Sequence, residues 1–146
     1  MSYTIKEITA QETWAVRHPV LRADRPIATC AMDGDLNADT VHLGLFDSNN
    51  LIGVASFMSN QNSQFTGKQY QLRGMGILES HQKKKLGGLL IDAGEEKLKQ
   101  LKVEVLWCNA RIKALNFYLR KGFTICGLPF DIENVGVHYL LSKKLQ

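Results

Sequence analysis

The order of apolar and polar residues divides this chain into short strands and amphipathic helices. Period-two alternation and short apolar runs predict strands, whereas apolar residues that recur every three or four positions predict helices. The predicted strands are Tyr3–Ile8, Val41–Phe46, Leu51–Phe57, Gln69–Leu78, Val103–Cys108, Phe123–Phe130 and Val137–Leu145. The predicted helices are Ala10–His18, Leu86–Leu101 and Lys113–Arg120, and the stretch broken by Pro19 and Pro26 has room for one short helical turn.

Local signals refine the ends of these elements. Thr9 and Glu12 have the spacing of a capping box, in which each side chain bonds the other residue's backbone N–H. Gly122 follows the third helix and is expected to close it in a left-handed conformation. Glycines at 74 and 76 interrupt a strand, which indicates a bulge or the close approach of another group.

The clearest helix, Leu86–Leu101, has an apolar face and a polar face. Its apolar face is expected to contain Leu86, Leu89, Leu90, Ala93 and Leu101, with Glu95 and its charged neighbours turned toward water. Gly94 lies in the middle of this helix, where it costs about 1 kcal/mol relative to alanine. We therefore expect a packing reason for its presence.

The element order predicts an α+β fold with a mixed sheet. A strand, a helix and a strand between residues 70 and 108 require a crossover, so these two strands are expected to be parallel neighbours. The remaining connections are hairpins, which gives a mostly antiparallel sheet of about six to seven strands with helices on both faces. The 146 residues fit a single domain, 1–146.

Composition narrows the class of protein further. The chain is 45% hydrophobic, contains no apolar run long enough to span a bilayer, and begins without the apolar stretch of a signal peptide. The three cysteines, Cys30, Cys108 and Cys126, are an odd number at wide spacings. They do not resemble a zinc or redox motif, and we interpret them as reduced thiols. The sequence therefore predicts a cytoplasmic protein with no membrane contact and no metal.

The net charge of +4 favours an anionic ligand, and part of it is concentrated at Lys83, Lys84 and Lys85. These lysines come just before a predicted helix, whose first backbone N–H groups are free and whose dipole favours negative charge. Gly87 and Gly88 have no side chain to keep a bulky anion away. The pattern is typical of a pyrophosphate site, although an ordinary loop with solvated lysines is an equal alternative, and the Walker and GxGxxG motifs are absent.

Two segments resemble the GNAT acetyltransferases. The first is Gln82-Lys-Lys-Lys-Leu-Gly87, which is similar to the acetyl-CoA loop of that superfamily. The second is Ala114-x-x-Phe117-Tyr118-x-x-x-Gly122-Phe123, which is similar to its A-x-x-[FL]-Y-x-x-x-G-F segment. The resemblance covers essentially the whole chain and is strongest to small bacterial members of unassigned substrate. It implies a central pair of parallel strands that splay apart at the cofactor.

The resemblance also implies roles for individual residues. Backbone groups of Met75, Gly76 and Ile77 are expected to pair with the pantetheine arm of acetyl-CoA, and N–H groups of the loop to hold its pyrophosphate. Tyr118 is expected to protonate the departing thiolate. The implied cofactor-binding residues are Met75, Gly76, Ile77, Gln82, Lys83, Lys84, Lys85, Leu86, Gly87, Gly88, Asn109, Arg111 and Phe117.

This chain departs from its relatives at two of those positions. Lys85 stands where relatives usually carry glycine. If the loop needs a positive φ at this position, lysine costs about 1–2 kcal/mol; the alternative is that its side chain contacts a phosphate. Arg111 stands where relatives often carry asparagine, and Asn109 is an alternative for the pantetheine contact. Gln71 lies near the position at which some relatives place a glutamate base, and it cannot titrate.

Glu79 and His138 are the remaining candidates for the general base, with water-mediated deprotonation as an equal alternative. For the acceptor, Arg17 and Arg22 are candidates to bind a substrate carboxylate through bidentate contacts. An enzyme that acetylates an amine of a small molecule or peptide is the first hypothesis, and a non-catalytic coenzyme A-binding regulatory module is the second. Nucleic acid is not expected as a partner, because the aromatic residues occupy core-like positions. A homodimer is an open alternative.

Overall fold

A computed structural model describes residues 2–146; Met1, which the predicted domain also includes, lies outside the described residues. Within that range the chain forms three α-helices: α1 (Trp14–Leu21), α2 (Leu86–Gln100) and α3 (Leu115–Arg120). The same residues form eight strands: β1 (Tyr3–Glu7), β2 (Val41–Asp47), β3 (Asn50–Ser59), β4 (Gln69–Ile77), β5 (Val105–Arg111), β6 (Thr124–Ile125), β7 (Phe130–Ile132) and β8 (Gly136–Lys144).

These elements form two compact units, and β4 and α2 each contribute to both. The first unit contains the chain up to Ser59 together with Leu72–Lys97. Its strands follow the order β1-β2-β3-β4, and β1 with β2 and β2 with β3 are antiparallel pairs. The core of this unit includes Leu45, Val54 and Phe57, which are fully buried.

Helices cover both faces of the sheet in the first unit. Adjacent strand residues point to opposite faces of a sheet, so the side chains of Ser56 and Phe57 in β3 lie on opposite faces. Ser56 accepts a hydrogen bond from Arg17 of α1, whereas the Phe57 ring lies against Gly94 of α2. The predicted placement of helices on both faces is thus confirmed for this unit.

The second unit contains Asn60–Gln71 and Leu98–Gln146. Here the first residues of β4 run parallel to β5, with a register that extends from Gln69↔Val105 to Gln71↔Trp107. β5 then pairs antiparallel with β8 along its whole length, and both β6 and β7 pair antiparallel with β8. The predicted α+β class is therefore confirmed: one parallel pair lies in a mostly antiparallel arrangement.

The predicted caps are present as well. Thr9 N–H donates to Glu12 Oε1 at 2.8 Å, and Glu12 N–H donates to Thr9 Oγ1 at 3.1 Å. Gly122 has a φ of +93° directly after α3. Gly94 has the expected packing reason, because a Cβ there would overlap the ring of Phe57.

Four details differ from the sequence prediction. Pro19 lies inside α1 rather than ending it, and β5 continues to Arg111. The predicted strand Phe123–Phe130 is divided into β6 and β7, because Gly127 adopts a φ of +80° between them. The buried face of α2 contains Glu95 but not Leu89, so the expectation that Glu95 faces water is wrong.

No helix in residues 2–146 has the length and apolar character needed to cross a membrane.

Candidate functional site

The segment that connects β4 to α2 contains the predicted anion site. β4 ends at Ile77, a short 3-10 turn covers Glu79–His81, and α2 begins at Leu86. The side chains of Lys83, Lys84 and Lys85 are all exposed to solvent. Three positive charges therefore stand immediately before the start of a helix of 15 residues.

The backbone of this loop is left-handed at two of its lysines. Lys83 has a φ of +65° and Lys85 a φ of +62°, whereas Lys84 between them has no positive φ. A residue with a Cβ in this conformation is disfavoured by about 1–2 kcal/mol. The sequence left open whether Lys85 has a positive φ, and the structure shows that it does; Lys83 has one as well, which the sequence did not predict.

The start of α2 fits a bound pyrophosphate. The first backbone N–H groups of an α-helix have no partner within the helix and point toward its N-terminal end. The first turn of α2 contains no acidic residue that would compete with an anion. Gly87 and Gly88 lie in this turn, so no side chain separates the helix backbone from a ligand.

Two side-chain contacts hold the loop in place. Gln82 Nε2 donates to the carbonyl oxygen of Ile77 at 2.8 Å. His81 Nε2 lies 2.8 Å from Asp47 Oδ2, and Ser80 Oγ lies 2.7 Å from His81 Nδ1. A carboxylate only accepts, so the Nε2 of His81 carries the proton. The Gln82 amide, a predicted cofactor ligand, is therefore engaged within the loop itself.

The glycines of β4 have a second explanation in the structure, namely the close approach of α1. A Cβ on Gly74 would lie 2.8 Å from Arg17 Nε, and one on Gly76 would lie 3.1 Å from a methyl group of Val20. Gly74 also has a φ of +62°. The expected bulge and close approach are both present, and a helix of the protein accounts for them.

A cleft of about 540 Å³ lies beside the loop of residues 78–85, the predicted cofactor loop, in the first unit. Pro19 and Val20 of α1 form one wall, and Leu78, Glu79, Gln82 and Lys83 form the rest. The predicted base Glu79 therefore lines a cavity. Its carboxylate makes no ion pair or hydrogen bond to any residue from 2 to 146.

Arg17 belongs to the core rather than to a substrate site. Its side chain is fully buried, and its terminal nitrogens bind both carboxylate oxygens of Asp35 at 2.7 and 3.0 Å. Further bonds run to the Cys30 carbonyl and to Ser56 Oγ. This ion pair replaces the predicted contact of Arg17 with a substrate carboxylate, because both terminal nitrogens are occupied by protein.

The partners of Arg17 continue into a buried polar network. His42 Nε2 donates to the Asp35 carbonyl at 2.9 Å, because a carbonyl only accepts. Nδ1 of His42 lies 2.7 Å from Ser56 Oγ, and that oxygen accepts from Arg17. Burial acts to raise the pKa of Asp35, but the hydrogen bonds from Arg17 and the Met32 N–H outweigh it and hold that pKa below its usual range.

Arg22, the other predicted substrate ligand, has a different environment. It is the C-terminal cap residue of α1, is half-buried, and donates through NH1 to the Leu21 carbonyl at 3.1 Å. The remaining nitrogens of its guanidinium make no bond within residues 2–146. Arg22 thus stays a candidate for contact with an acceptor.

Tyr118 of the second unit is a buried phenol. Its ring makes edge contacts with Phe117 and Phe123, at centroid distances of 5.1 and 5.4 Å. Burial, together with the nearby Cys108, raises the pKa of Tyr118 well above its ordinary value. The hydroxyl makes no hydrogen bond to residues 2–146, so it holds a proton that the protein itself does not use.

The end of β5 brings three further candidates together in the second unit. Asn109 and Arg111 are exposed on β5, and Arg111 is the register partner of His138 on β8. His138 is 5% exposed, and its Nδ1 lies 2.8 Å from the carbonyl of Gly136. A carbonyl only accepts, so Nδ1 carries a proton, and Nε2 has no hydrogen-bond partner within residues 2–146.

The cysteines are reduced in this structure. Cys108 is buried, and burial raises the pKa of its thiol to about 12. A thiol with that pKa is protonated at neutral pH and is a poor nucleophile. Cys30 is also buried, whereas Cys126 is partly exposed.

Sequence reasoning missed the polar network of Asp35, His42 and Ser56 and the cleft wall at Pro19 and Val20. Asp35 and His42 were unremarkable as sequence, because one lies in a polar loop and the other alternates with apolar residues in a strand. The spacing of Arg17 and Val20 on one helix was the available signal, since residues three apart share a helix face.

Fold and site together define a class of protein. A strand that leads through a basic loop into a helix with an open first turn is an arrangement that suits a phosphorylated ligand. The sequence profile described as Acetyltransferase (GNAT) family matches residues 5–123. The chain belongs to this family, whose members are acetyl-CoA-dependent N-acetyltransferases.

Individual relatives agree with this assignment. The uncharacterized N-acetyltransferase YitI of Bacillus subtilis (strain 168) is 36% identical over 143 residues, which cover 97% of this chain and 96% of that protein. An aminoglycoside 6'-N-acetyltransferase solved in complex with coenzyme A has a TM-score of 0.79 at 12% identity, covering 98% and 97% of the two chains. FeeM, an N-acyl amino acid synthase from uncultured soil microbes, has a TM-score of 0.81 at 12% identity, covering 99% and 91%.

Proposed function

We propose that this chain moves an acetyl group from acetyl-CoA to an amine of a small molecule or peptide, by direct attack in a ternary complex. The observation that carries the proposal is the junction of the Lys83–Lys85 loop with α2. Free helix N–H groups, three exposed lysines and two left-handed residues meet there. The loop backbone from Lys83 to Gly88 holds the pyrophosphate, and the backbone of Met75 to Ile77 receives the pantetheine arm.

Direct attack is supported by the state of the cysteines. An acetyl-enzyme formed on Cys108 needs its thiolate, and the raised pKa of Cys108 keeps that thiol protonated. In the direct route the amine nitrogen forms a bond to the thioester carbonyl carbon, and the C–S bond breaks. Tyr118 gives its proton to the departing sulfur and is then reprotonated from solvent.

The amine must lose a proton during this step. Glu79 and His138 both remain candidates to accept it, the first because it lines the cleft and the second because its Nε2 is free. Transfer to water is the third route. Arg22 is proposed to contact an acceptor that carries a carboxylate, and Asn109, Arg111 and Phe117 to contact the cofactor.

The relatives leave the acceptor open. Among the structural neighbours, one is described as an aminoglycoside acetyltransferase and another as an N-acyl amino acid synthase. A thermal-shift titration with acetyl-CoA tests cofactor binding. At an acetyl-CoA concentration of 100 times its Kd, binding adds about 2.7 kcal/mol to the free energy of unfolding. Thiol release over a panel of amines tests transfer. A thermal shift without thiol release would favour the non-catalytic alternative, and no shift at millimolar cofactor would contradict both.

We expect Tyr118→Phe to lower kcat roughly 100-fold, within the range for loss of a general acid. The KM for acetyl-CoA is expected to stay within about twofold, because the hydroxyl acts on the leaving group and not on cofactor binding. Steady-state thiol release measures both constants. Tyr139→Phe, a half-buried tyrosine on β8, is the matched control. An unchanged kcat in Tyr118→Phe would exclude the acid role.

A further inference from the structure

The cleft beside the cofactor loop has features that select among amines. Its volume of about 540 Å³ lies in the range of small-molecule sites, which is roughly 300–1,000 Å³. All of its lining residues, Pro19, Val20, Leu78, Glu79, Gln82 and Lys83, belong to the first unit. A ligand in this cleft therefore meets both apolar and charged walls.

The apolar wall is available to a ligand. Pro19 is exposed and Val20 is half-buried at the end of α1, and Leu78 faces the same cleft. These three side chains form one apolar wall of a cleft whose other lining residues are polar. The wall favours a ligand that carries an apolar group, because each methylene buried raises affinity about fourfold.

The charged residues of the cleft favour a ligand with one positive charge over a ligand with several. The Glu79 carboxylate has no partner within residues 2–146, so it is free to bind an ammonium group. Lys83 lines the same cleft and repels additional positive charge. The Gln82 amide already donates to the Ile77 carbonyl, so its bonding to a polyhydroxylated ligand is limited.

We propose that this cleft is the acceptor site and that its acceptor is a monoamine with an apolar body, bound through Glu79 and against Pro19, Val20 and Leu78. This inference rests on the proposed acetyl transfer. It excludes polycations such as aminoglycosides and polyamines as preferred acceptors. The competing occupant of the cleft is part of the cofactor itself, since Gln82 and Lys83 also belong to the cofactor loop.

The test measures thiol release at saturating acetyl-CoA with butylamine, hexylamine, phenethylamine, spermidine and kanamycin. We expect kcat/KM to rise about fourfold per added methylene from butylamine to hexylamine. Spermidine and kanamycin are expected to be at least tenfold poorer than hexylamine. A flat response to chain length, or a preference for the polycations, would overturn the proposal.

Variants assign the effect to the cleft. Val20→Thr keeps the side-chain shape that packs over Gly76 but adds a hydroxyl, and it is expected to lower kcat/KM for hexylamine at least threefold. Glu79→Gln is expected to raise the KM for hexylamine at least tenfold. Both are expected to leave the KM for acetyl-CoA within twofold. Leu36→Thr, at a position that is 90% exposed and outside the cleft, is the matched control.

Each alternative gives a different result. If Val20→Thr raises the KM for acetyl-CoA and leaves the amine unaffected, the cleft holds the cofactor and the proposal is wrong. Should Val20→Thr unfold, Pro19→Ser at the exposed wall position replaces it. If the wild type releases no thiol with any amine, the proposed function fails. Calorimetry with hexylamine in the presence of coenzyme A then tests whether the cleft binds the amine. If hexylamine binds and Val20→Thr weakens that binding, the cleft is an amine site. If hexylamine does not bind, the proposal is wrong.

Discussion

Lys83 and Lys85 show how one backbone angle shapes a binding loop. Both have a positive φ without being glycine, and this strain is held by the contacts at the start of the loop. Gln82 bonds the end of β4, and His81 bonds Asp47 on β2. Strained residues that the surrounding structure over-determines concentrate at ligand sites. The two left-handed lysines therefore lie in the segment proposed to bind the cofactor.

Lys85→Gly is expected to be more stable than Lys84→Gly by about 1–2 kcal/mol in the free protein. Glycine relieves the left-handed strain at position 85, whereas both changes carry the same entropic cost of glycine. Urea unfolding of the two variants measures the difference, and position 84 serves as the control because it lacks a positive φ.

The same pair of variants reports on the cofactor. Acetyl-CoA binding tighter in Lys85→Gly than in the wild type would mean that the lysine is only strained, and weaker binding would mean that it contacts a phosphate. Equal stability of the two variants would contradict the strain argument itself.

Among single residues, those with a special backbone were the easiest to predict from the sequence. Gly122 was expected to have a positive φ because it closes a helix, and it does. For Lys85 the comparison with a family glycine only raised the question of a positive φ, which the structure answers. Arg17 was misinterpreted, since its sequence neighbours are other arginines and a proline. Its partner Asp35 lies 18 residues away along the chain, and no local pattern connects the two.

At the scale of elements, α2 packs closely against β3 where Gly94 meets Phe57. Gly94 has no side chain, and the Phe57 ring fills the space where a Cβ would stand. Both residues are buried. The helix that carries the cofactor loop at its N-terminus is therefore fixed in distance and rotation relative to the sheet of the first unit.

Gly94→Ala is expected to destabilise the protein by about 1–3 kcal/mol through overpacking, although alanine favours an ordinary helix by about 1 kcal/mol. Denaturant unfolding measures the change. In a Phe57→Leu background, where the ring is gone, the same substitution is expected to become neutral or stabilising. If Gly94→Ala stabilises the wild type, the contact with Phe57 does not limit the approach of α2.

Elements with a strong period were predicted well, and those that depend on tertiary packing were not. The register of β2 and β3 follows from two apolar runs around a short turn. The burial of Glu95 in α2 does not follow from its helix period, because a charged residue enters a core only when a partner compensates it. Likewise, Pro19 continues α1 because the packing of Val20 and Arg17 against β4 outweighs its missing N–H.

At the scale of the whole molecule, the buried ion pair of Arg17 and Asp35 couples stability to pH. The folded-state pKa of Asp35 is lowered, so its stabilising contribution is complete above the unfolded pKa of about 3.9. That contribution is lost as the pH falls through the lower, folded-state pKa. Acid is therefore expected to weaken the core of the first unit.

Asp35→Asn is expected to lower the free energy of unfolding by about 3–5 kcal/mol at pH 7, because it leaves the Arg17 charge buried without its partner. The difference from wild type is expected to shrink as the pH drops below about 3.9. Urea unfolding at pH 7 and pH 3 measures both effects. Asp33→Asn, two residues away and exposed, is the control and is expected to change stability little; a difference that is the same at both pH values would contradict the coupling.

Only part of the candidate site could be predicted from the sequence. The basic loop and the Tyr118 segment were found because each is continuous along the chain. The cleft was not, since Pro19 and Val20 are about 60 positions from Leu78 and Glu79 and meet only through the folding of α1 onto β4. Glu79 was predicted as a candidate base, and its place in that cleft adds a binding role that the sequence did not indicate.

The three exposed lysines of the cofactor loop also make this loop susceptible to trypsin. Trypsin cleaves after lysine, and exposed loops are its preferred substrates. The proposed cofactor loop is therefore also a site where trypsin is expected to cut the protein without cofactor, between β4 and α2. A phosphorylated cofactor bound along this backbone would shield it, so the rate of cleavage after Lys83–Lys85, followed by mass spectrometry, is expected to fall as acetyl-CoA is added.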